Sequence, residues 1–226
     1  MTGLPLLKRA AAHLSGGLQD ELKRHFFRRQ IRRGTFATDE REFSMLPDFI
    51  GPGDWALDVG ANVGHYTLRM SQLVGPSGRV IALEPVPQTF WLLAANVRLA
   101  PQANVTLLNV AASDRAARVS MDIPDFAKGL HNYYQAHITE GGNGLAVMTM
   151  PLDCLDLPHR VRLAKIDVEG HELAVLRGMR RLLERDRPVL IVETSLDETS
   201  RLLAELKYSV SRLAGSSNVV AVPDTR

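Results

Sequence analysis

An apolar run, W-A-L, ends in an aspartate, and the chain then breaks into two glycines around an asparagine: D-V-G-A-N-V-G, residues 58–64. Glycine brings no Cβ and tolerates positive φ, so Gly60 and Gly64 allow the backbone close to a ligand. Asn62 best tolerates the left-handed region among the other residues. Twenty residues after Gly64, a second apolar run ends in Glu84, whose carboxylate can accept both hydroxyls of a ribose. A third runs into Ser113 and Asp114, where a polar group can reach an adenine edge. A fourth ends in Asp167, with Glu169 and His171 just beyond, a set of proton acceptors. Histidine titrates nearest neutral pH, which makes His171 the first candidate base and Glu169 the second.

The loop discriminates among ligands. A P-loop requires a lysine that is not here, and a dinucleotide turn requires glycines where Asn62 and His65 stand. The S-adenosylmethionine loop, D/E-x-G-x-G-x-G, is matched at Asp58, Gly60 and Gly64. Charge agrees: Asp58, Glu84, Asp114 and Asp167 suit a cationic sulfonium better than a pyrophosphate.

Elements that would position these residues follow from periodicity. Strands are predicted at 55–59, 80–84, 105–110, 163–167 and 189–193, with helices at 64–74, 87–100, 171–185 and 198–207. This alternation implies a parallel, doubly wound sheet. Two short strands are expected within 208–222. Between strands at 119–123 and 145–150 lies a long polar loop, 125–144, which holds His131, a rival base. Tyr133 and Tyr134 beside it could stack on a sugar. Upstream, a basic amphipathic helix is predicted at 17–33, and a second at 40–49, interrupted by Pro47.

The 226 residues, 45% hydrophobic and 23% charged, suit one α/β domain. No run of about 18 apolar residues could span a membrane, and the first residues lack a secretory core, so the expected location is the cytoplasm. The single cysteine, Cys154, reads as a buried small hydrophobe. Net charge is +2, but residues 1–35 hold eight Lys or Arg against Asp20 and Glu21. Such an arm suits an anionic partner, a membrane surface being one, or is simply a solvated helix face. The expected division is a basic helical arm, 1–50, and a cofactor-binding domain, 51–226.

D-V-G-A-N-V-G-H-Y-T (58–67), A-L-E-P (82–85), K-I-D-V-E-G-H-E (165–172) and P-V-L-I-V-E (188–193) together resemble the FkbM family of S-adenosylmethionine-dependent methyltransferases, over about residues 40–210. The resemblance implies a class I methyltransferase, Rossmann-like α/β fold: a seven-stranded, mostly parallel sheet with the last strand antiparallel, here with N-terminal helices added. It implies that Asp58, Gly60, Asn62 and Gly64 form the methionine loop, that Tyr66 and Thr67 line it, and that Glu84 holds the ribose. Asp167 and Glu169 match the family's acidic pair. The activity implied is O-methylation of a sugar, glycolipid or polyketide-type acceptor. A nucleic-acid methyltransferase gripping through the basic arm is disfavoured, because D-V-E-G stands where base methylases carry an N/D-P-P-Y type motif. A non-catalytic cofactor-binding module is the other alternative. Asp167, Glu169 and Glu193 are oxygen ligands of the kind Mg²⁺ uses, but no spacing requires a metal, and none is expected.

Overall fold

A computed structural model describes residues 16–127, 130–139, 144–194 and 197–224 of the chain. Among the described residues two helices come first, α1 (Gly16–Arg33) and α2 (Arg41–Phe49). The alternation then begins: β1 (Trp55–Val59), α3 (His65–Val74), β2 (Arg79–Leu83), α4 (Pro87–Val97) and β3 (Val105–Leu108). It resumes with β10 (Val161–Ile166), α5 (Glu172–Gly178), α6 (Arg180–Asp186), β11 (Val189–Glu193), α7 (Asp197–Glu205), β12 (Tyr208–Arg212) and β13 (Asn218–Pro223). These strands form one seven-stranded sheet in the order β12-β13-β11-β10-β1-β2-β3. The last strand, β13, runs antiparallel to both neighbours, while β3, β2, β1, β10 and β11 pair in parallel.

Strand residues alternate between two covered faces, as the two-residue repeat demands. Leu57, Val59, Ile81, Leu83 and Ile166 pack with Val175, Leu176 and Leu183 of the helices on one side. Ala56, Val80, Leu163 and Ile191 pack with Tyr66, Met70 and Val74 of α3 on the other, where Leu46 and Ile50, at the end of α2, complete the layer. Leu46 is fully buried, so α2 is built into this core.

The stretch between β3 and β10 departs from the long loop expected at 125–144. It contains β4 (Ala111–Ala112), β5 (Ala117–Asp122), β6 (Asp125–Ala127), β7 (Leu130–His131), a 3₁₀ turn (Tyr133–Gln135), β8 (His137–Thr139) and β9 (Leu145–Met150). A second sheet runs β4-β9-β5-β8. The cause is a small apolar face: Ala136 and Ile138 join Met121 and Val147 over Val86 and Ala111, a contribution hidden among polar neighbours. Two further expectations are corrected. The helix expected at 171–185 is broken between α5 and α6 at Met179, whose backbone is non-helical. Cys154 is exposed, at the end of a 3₁₀ turn, rather than buried. Among the described residues, no helix is long and apolar enough to cross a membrane.

Candidate active site

The carboxyl ends of β1, β2, β10 and β11 open into a cavity of about 370 Å³. Asp58, Gly60, Asn62, Tyr66 and Glu84 line it, as do Asp167, Glu169 and His171. Residues 58–84 and 167–171, far apart in the chain, therefore share one space. Gly64, Thr67, Ser113 and Asp114 do not line it.

The two loop glycines are required by the protein itself. Gly60 has φ +80°, and a Cβ there would lie 1.8 Å from the Asp167 carbonyl oxygen. Gly64, at φ +96°, caps α3, and its Cβ would lie 2.6 Å from Leu93. The first lets β1 and β10 end side by side; the second seats α3 against α4. Asn62 takes up positive φ, and its amide N–H donates to Glu84 Oε2 at 2.9 Å. Val86 N–H donates to Glu84 Oε1 at 2.9 Å. Each Glu84 oxygen thus keeps a lone pair, at a cavity wall. Burial pushes the Glu84 carboxyl up to about 7 against these two hydrogen bonds.

Behind the loop, charge is organised around Lys165. It is the register partner of Asp58, its Nζ lies 2.6 Å from Asp167 Oδ2, and the ammonium sits 4.6 Å from the centre of the Tyr66 ring. Burial works against its charge, yet Asp167 and Asp58 hold its pKa above the usual lysine value. Burial likewise raises the Asp58 carboxyl, opposed by Lys165 and by the Thr67 hydroxyl, which donates to Asp58 Oδ2. Thr67 therefore positions Asp58 from behind instead of lining the loop. Tyr66 Oη donates to Glu40 Oε2 at 2.6 Å, so the segment before β1 closes this wall.

On the opposite wall, burial would raise Asp167, but Lys165 holds it below the usual carboxylate range. Glu193 is pushed up to about 7, first by its hydrogen bond to Asp167 and then by burial, so Glu193 takes up a proton before Asp167 does. Glu169 is exposed and in positive φ, its carboxyl raised by partial burial and by Asp167 and Glu172. Oxygens of Asp167, Glu169 and Glu193 all come within 4.8 Å of one another, a hard-ligand set whose Asp167 already carries the Lys165 ammonium.

His171 completes this wall. Its Nε2 lies 2.9 Å from Ser113 Oγ, and Ser113 Oγ donates to Asp114 Oδ1 at 3.3 Å. Ser113 and Asp114, expected beside an adenine, instead stand behind the imidazole; Val110, Ala111 and Ala112 border the cavity there. Burial lowers the His171 pKa, with Asp114 acting against it. Burial therefore favours the neutral ring. The side chains of the rival His131 and of Tyr134 lie outside the described residues, while Tyr133 lines the cavity.

Sequence reading assigned no role to Lys165 or Glu40. Lys165 carried a signal: a charge inside a buried parallel strand, two residues from Asp167 and so on its face.

The arrangement fits S-adenosylmethionine. Glu84 presents two free lone pairs at a cavity wall, and the buried Asp58 Oδ1 has no hydrogen-bond partner among the described residues. The chain also matches the methyltransferase FkbM domain over residues 58–212. It belongs to the FkbM methyltransferase family. As a domain it is S-adenosylmethionine-dependent, of class I fold.

The hexuronic acid methyltransferase AglP of Haloferax volcanii is 32% identical over 160 residues, which is 67% of this chain and 62% of that protein. This chain thus spans less than two thirds of that relative's length. Among solved structures, methyltransferase FkbM from Methylobacillus flagellatus aligns with TM-score 0.56 at 17% identity, over 75% of this chain and 43% of the other. The precorrin-6y C5,15-methyltransferase of Geobacter metallireducens aligns with TM-score 0.50 at 19% identity, over 82% and 88%. Both likenesses concern the fold.

Proposed function

We propose that this chain methylates a hydroxyl oxygen of a sugar, glycolipid or polyketide-type acceptor, with His171 taking the hydroxyl proton. The observation behind the reading is that the Glu84 wall and the His171–Glu169 wall face one cavity. When bound, S-adenosylmethionine supplies a methyl carbon made electrophilic by its sulfonium.

The residues divide the remaining work. Glu84 accepts the ribose hydroxyls, and the Asp58–Asn62 loop lies under the methionine end. Asp58 and Asp167 favour a cation there, while Lys165 keeps their repulsion in check. His171 stands on the acceptor side. With Ser113 donating to Asp114, the Ser113 oxygen is left to accept from His171 Nε2–H. The lone pair then resides on Nδ1, the nitrogen free to accept the acceptor's proton. A sugar hydroxyl is a weak nucleophile, so a positioned base adds about 10²–10⁴-fold. Tyr133 on the cavity wall supplies a flat surface for a sugar ring, and Glu169 at the rim can hydrogen-bond its hydroxyls. The hexuronic acid named for the Haloferax relative supports a sugar acid as the first acceptor to try.

The test is release of S-adenosylhomocysteine with uronic-acid glycosides, other glycosides and RNA as acceptors. Turnover with a hydroxylated small molecule is expected. Turnover with RNA alone would move the activity to nucleic acid, and tight cofactor binding without turnover on any acceptor would make this a binding module.

A further inference from the structure

The side of α1 turned from the core is at once apolar and basic. Phe27 is buried and packs with Val63 and Leu92, which fixes the orientation of the helix. On the other side, at the four-residue spacing of one helical stripe, lie Leu18, Leu22 and Phe26, exposed by 48%, 49% and 57%. At 100° per residue, Arg29 and Arg33 fall within this same stripe and Arg32 on its edge. All three are exposed. The stripe contains no carboxylate; Glu21, on its flank, is held by Arg24 at 2.6 Å.

A solvated helix face does not expose three large hydrophobic side chains in line. A neutral protein partner would account for the apolar residues but not for a face with only positive charge. An anionic lipid surface accounts for both, because apolar side chains enter the interface while arginines meet the headgroups.

We infer that the outer face of α1, through Leu18, Leu22, Phe26, Arg29, Arg32 and Arg33, docks the protein on an anionic membrane surface. Lys23 of the same helix lies 4.8 Å from the centre of the Tyr133 ring at the cavity wall. The cavity wall therefore meets α1 on the side turned from the docking stripe.

Vesicle co-sedimentation of the full chain tests this without reference to turnover, so it stands or fails separately from methyl transfer. Binding is expected to phosphatidylcholine vesicles containing phosphatidylglycerol, to be weak to phosphatidylcholine alone, and to decline with salt. The triple variant Arg29→Gln/Arg32→Gln/Arg33→Gln should bind about a hundredfold more weakly, at about fivefold per arginine. The double variant Leu22→Ser/Phe26→Ser should lose about tenfold or more. Unchanged melting temperatures, expected for side chains turned from the core, would verify that both remain folded. Equal binding by parent and variants, or no preference of the parent for anionic vesicles, overturns the proposal. RNA binding that depends on the three arginines, with no vesicle binding, would assign the face to nucleic acid instead.

Discussion

Ser113 Oγ lies 2.9 Å from His171 Nε2 across 58 residues of sequence, joining the end of β4 to the start of α5. The contact depends on close approach: a Cβ at Gly178, in α5, would lie 1.9 Å from the Ser113 carbonyl oxygen. The helix that carries the imidazole is thus seated directly on the strand end that orients it.

Replacing the base is the first test of that pair. His171→Ala should lower kcat by about 10²–10⁴-fold with little change in cofactor affinity, since the proposed role puts the ring on the acceptor side. Ser113→Ala should lower kcat by a smaller factor, because it frees the ring without removing it. Single-turnover rates separate chemistry from product release. A His171→Ala enzyme with wild-type rates would remove the histidine from the mechanism.

The pH profile follows from the same contacts. With His171 as the proposed base the neutral imidazole is the active form, so the rate should be lost as pH falls through the His171 pKa, which burial holds below the usual histidine value. Asp114 favours the imidazolium, so Asp114→Asn should move the profile further toward acid. A profile that did not respond to Asp114 but shifted with Glu193→Gln would assign the titration to the Asp167–Glu193 pair.

Glu84 links cofactor binding to stability. Glu84→Ala should weaken S-adenosylhomocysteine binding by about 1.5–3 kcal/mol, the range for hydrogen bonds to a charged group. Its carboxyl is raised in the fold, so between 4.5 and about 7 the folded chain holds a proton that the unfolded chain has lost. The contribution of Glu84 to stability therefore declines as pH rises through that window. Glu193, raised to about 7, acts in the same direction. Urea midpoints measured across this range should fall for the wild type and fall less for Glu84→Ala.

Lys165 serves stability before chemistry. Lys165→Met leaves the buried Asp58 and the half-buried Asp167 without their counter-charge, and removing one partner of a buried ion pair costs roughly 3–5 kcal/mol. The loss should shrink as pH falls and the carboxyl groups take up protons. Equilibrium unfolding of the cofactor-free protein at two pH values measures both effects.

Local patterns sufficed wherever one stretch of chain declares its own environment. The buried runs 55–59, 80–84 and 189–193 read as strands because parallel strands covered on both faces are apolar throughout. Asn62 read as a positive-φ residue from its chemistry. Asp58, Glu84, Asp167, Glu169 and His171 were legible as candidates because each lies at or just beyond the end of a strand, and in such sheets strand ends gather at one edge.

What remained undecided in the sequence was every relation that requires a second segment. Gly60 is spared a Cβ by the Asp167 carbonyl and Gly64 by Leu93, contacts that no local rule contains. Thr67 and Ser113 have the same polar character whether they touch a ligand or brace a neighbour; the fold turns one toward Asp58 and the other toward His171. The strand at 137–139 joins the second sheet where Ala136 and Ile138 meet Met121 and Val147, an apolar face too sparse to show in periodicity. The α1 face is a last instance. Leu18, Leu22, Phe26 and Phe27 look alike in the sequence, and packing against Val63 and Leu92 decided that Phe27 goes in and the other three stay out.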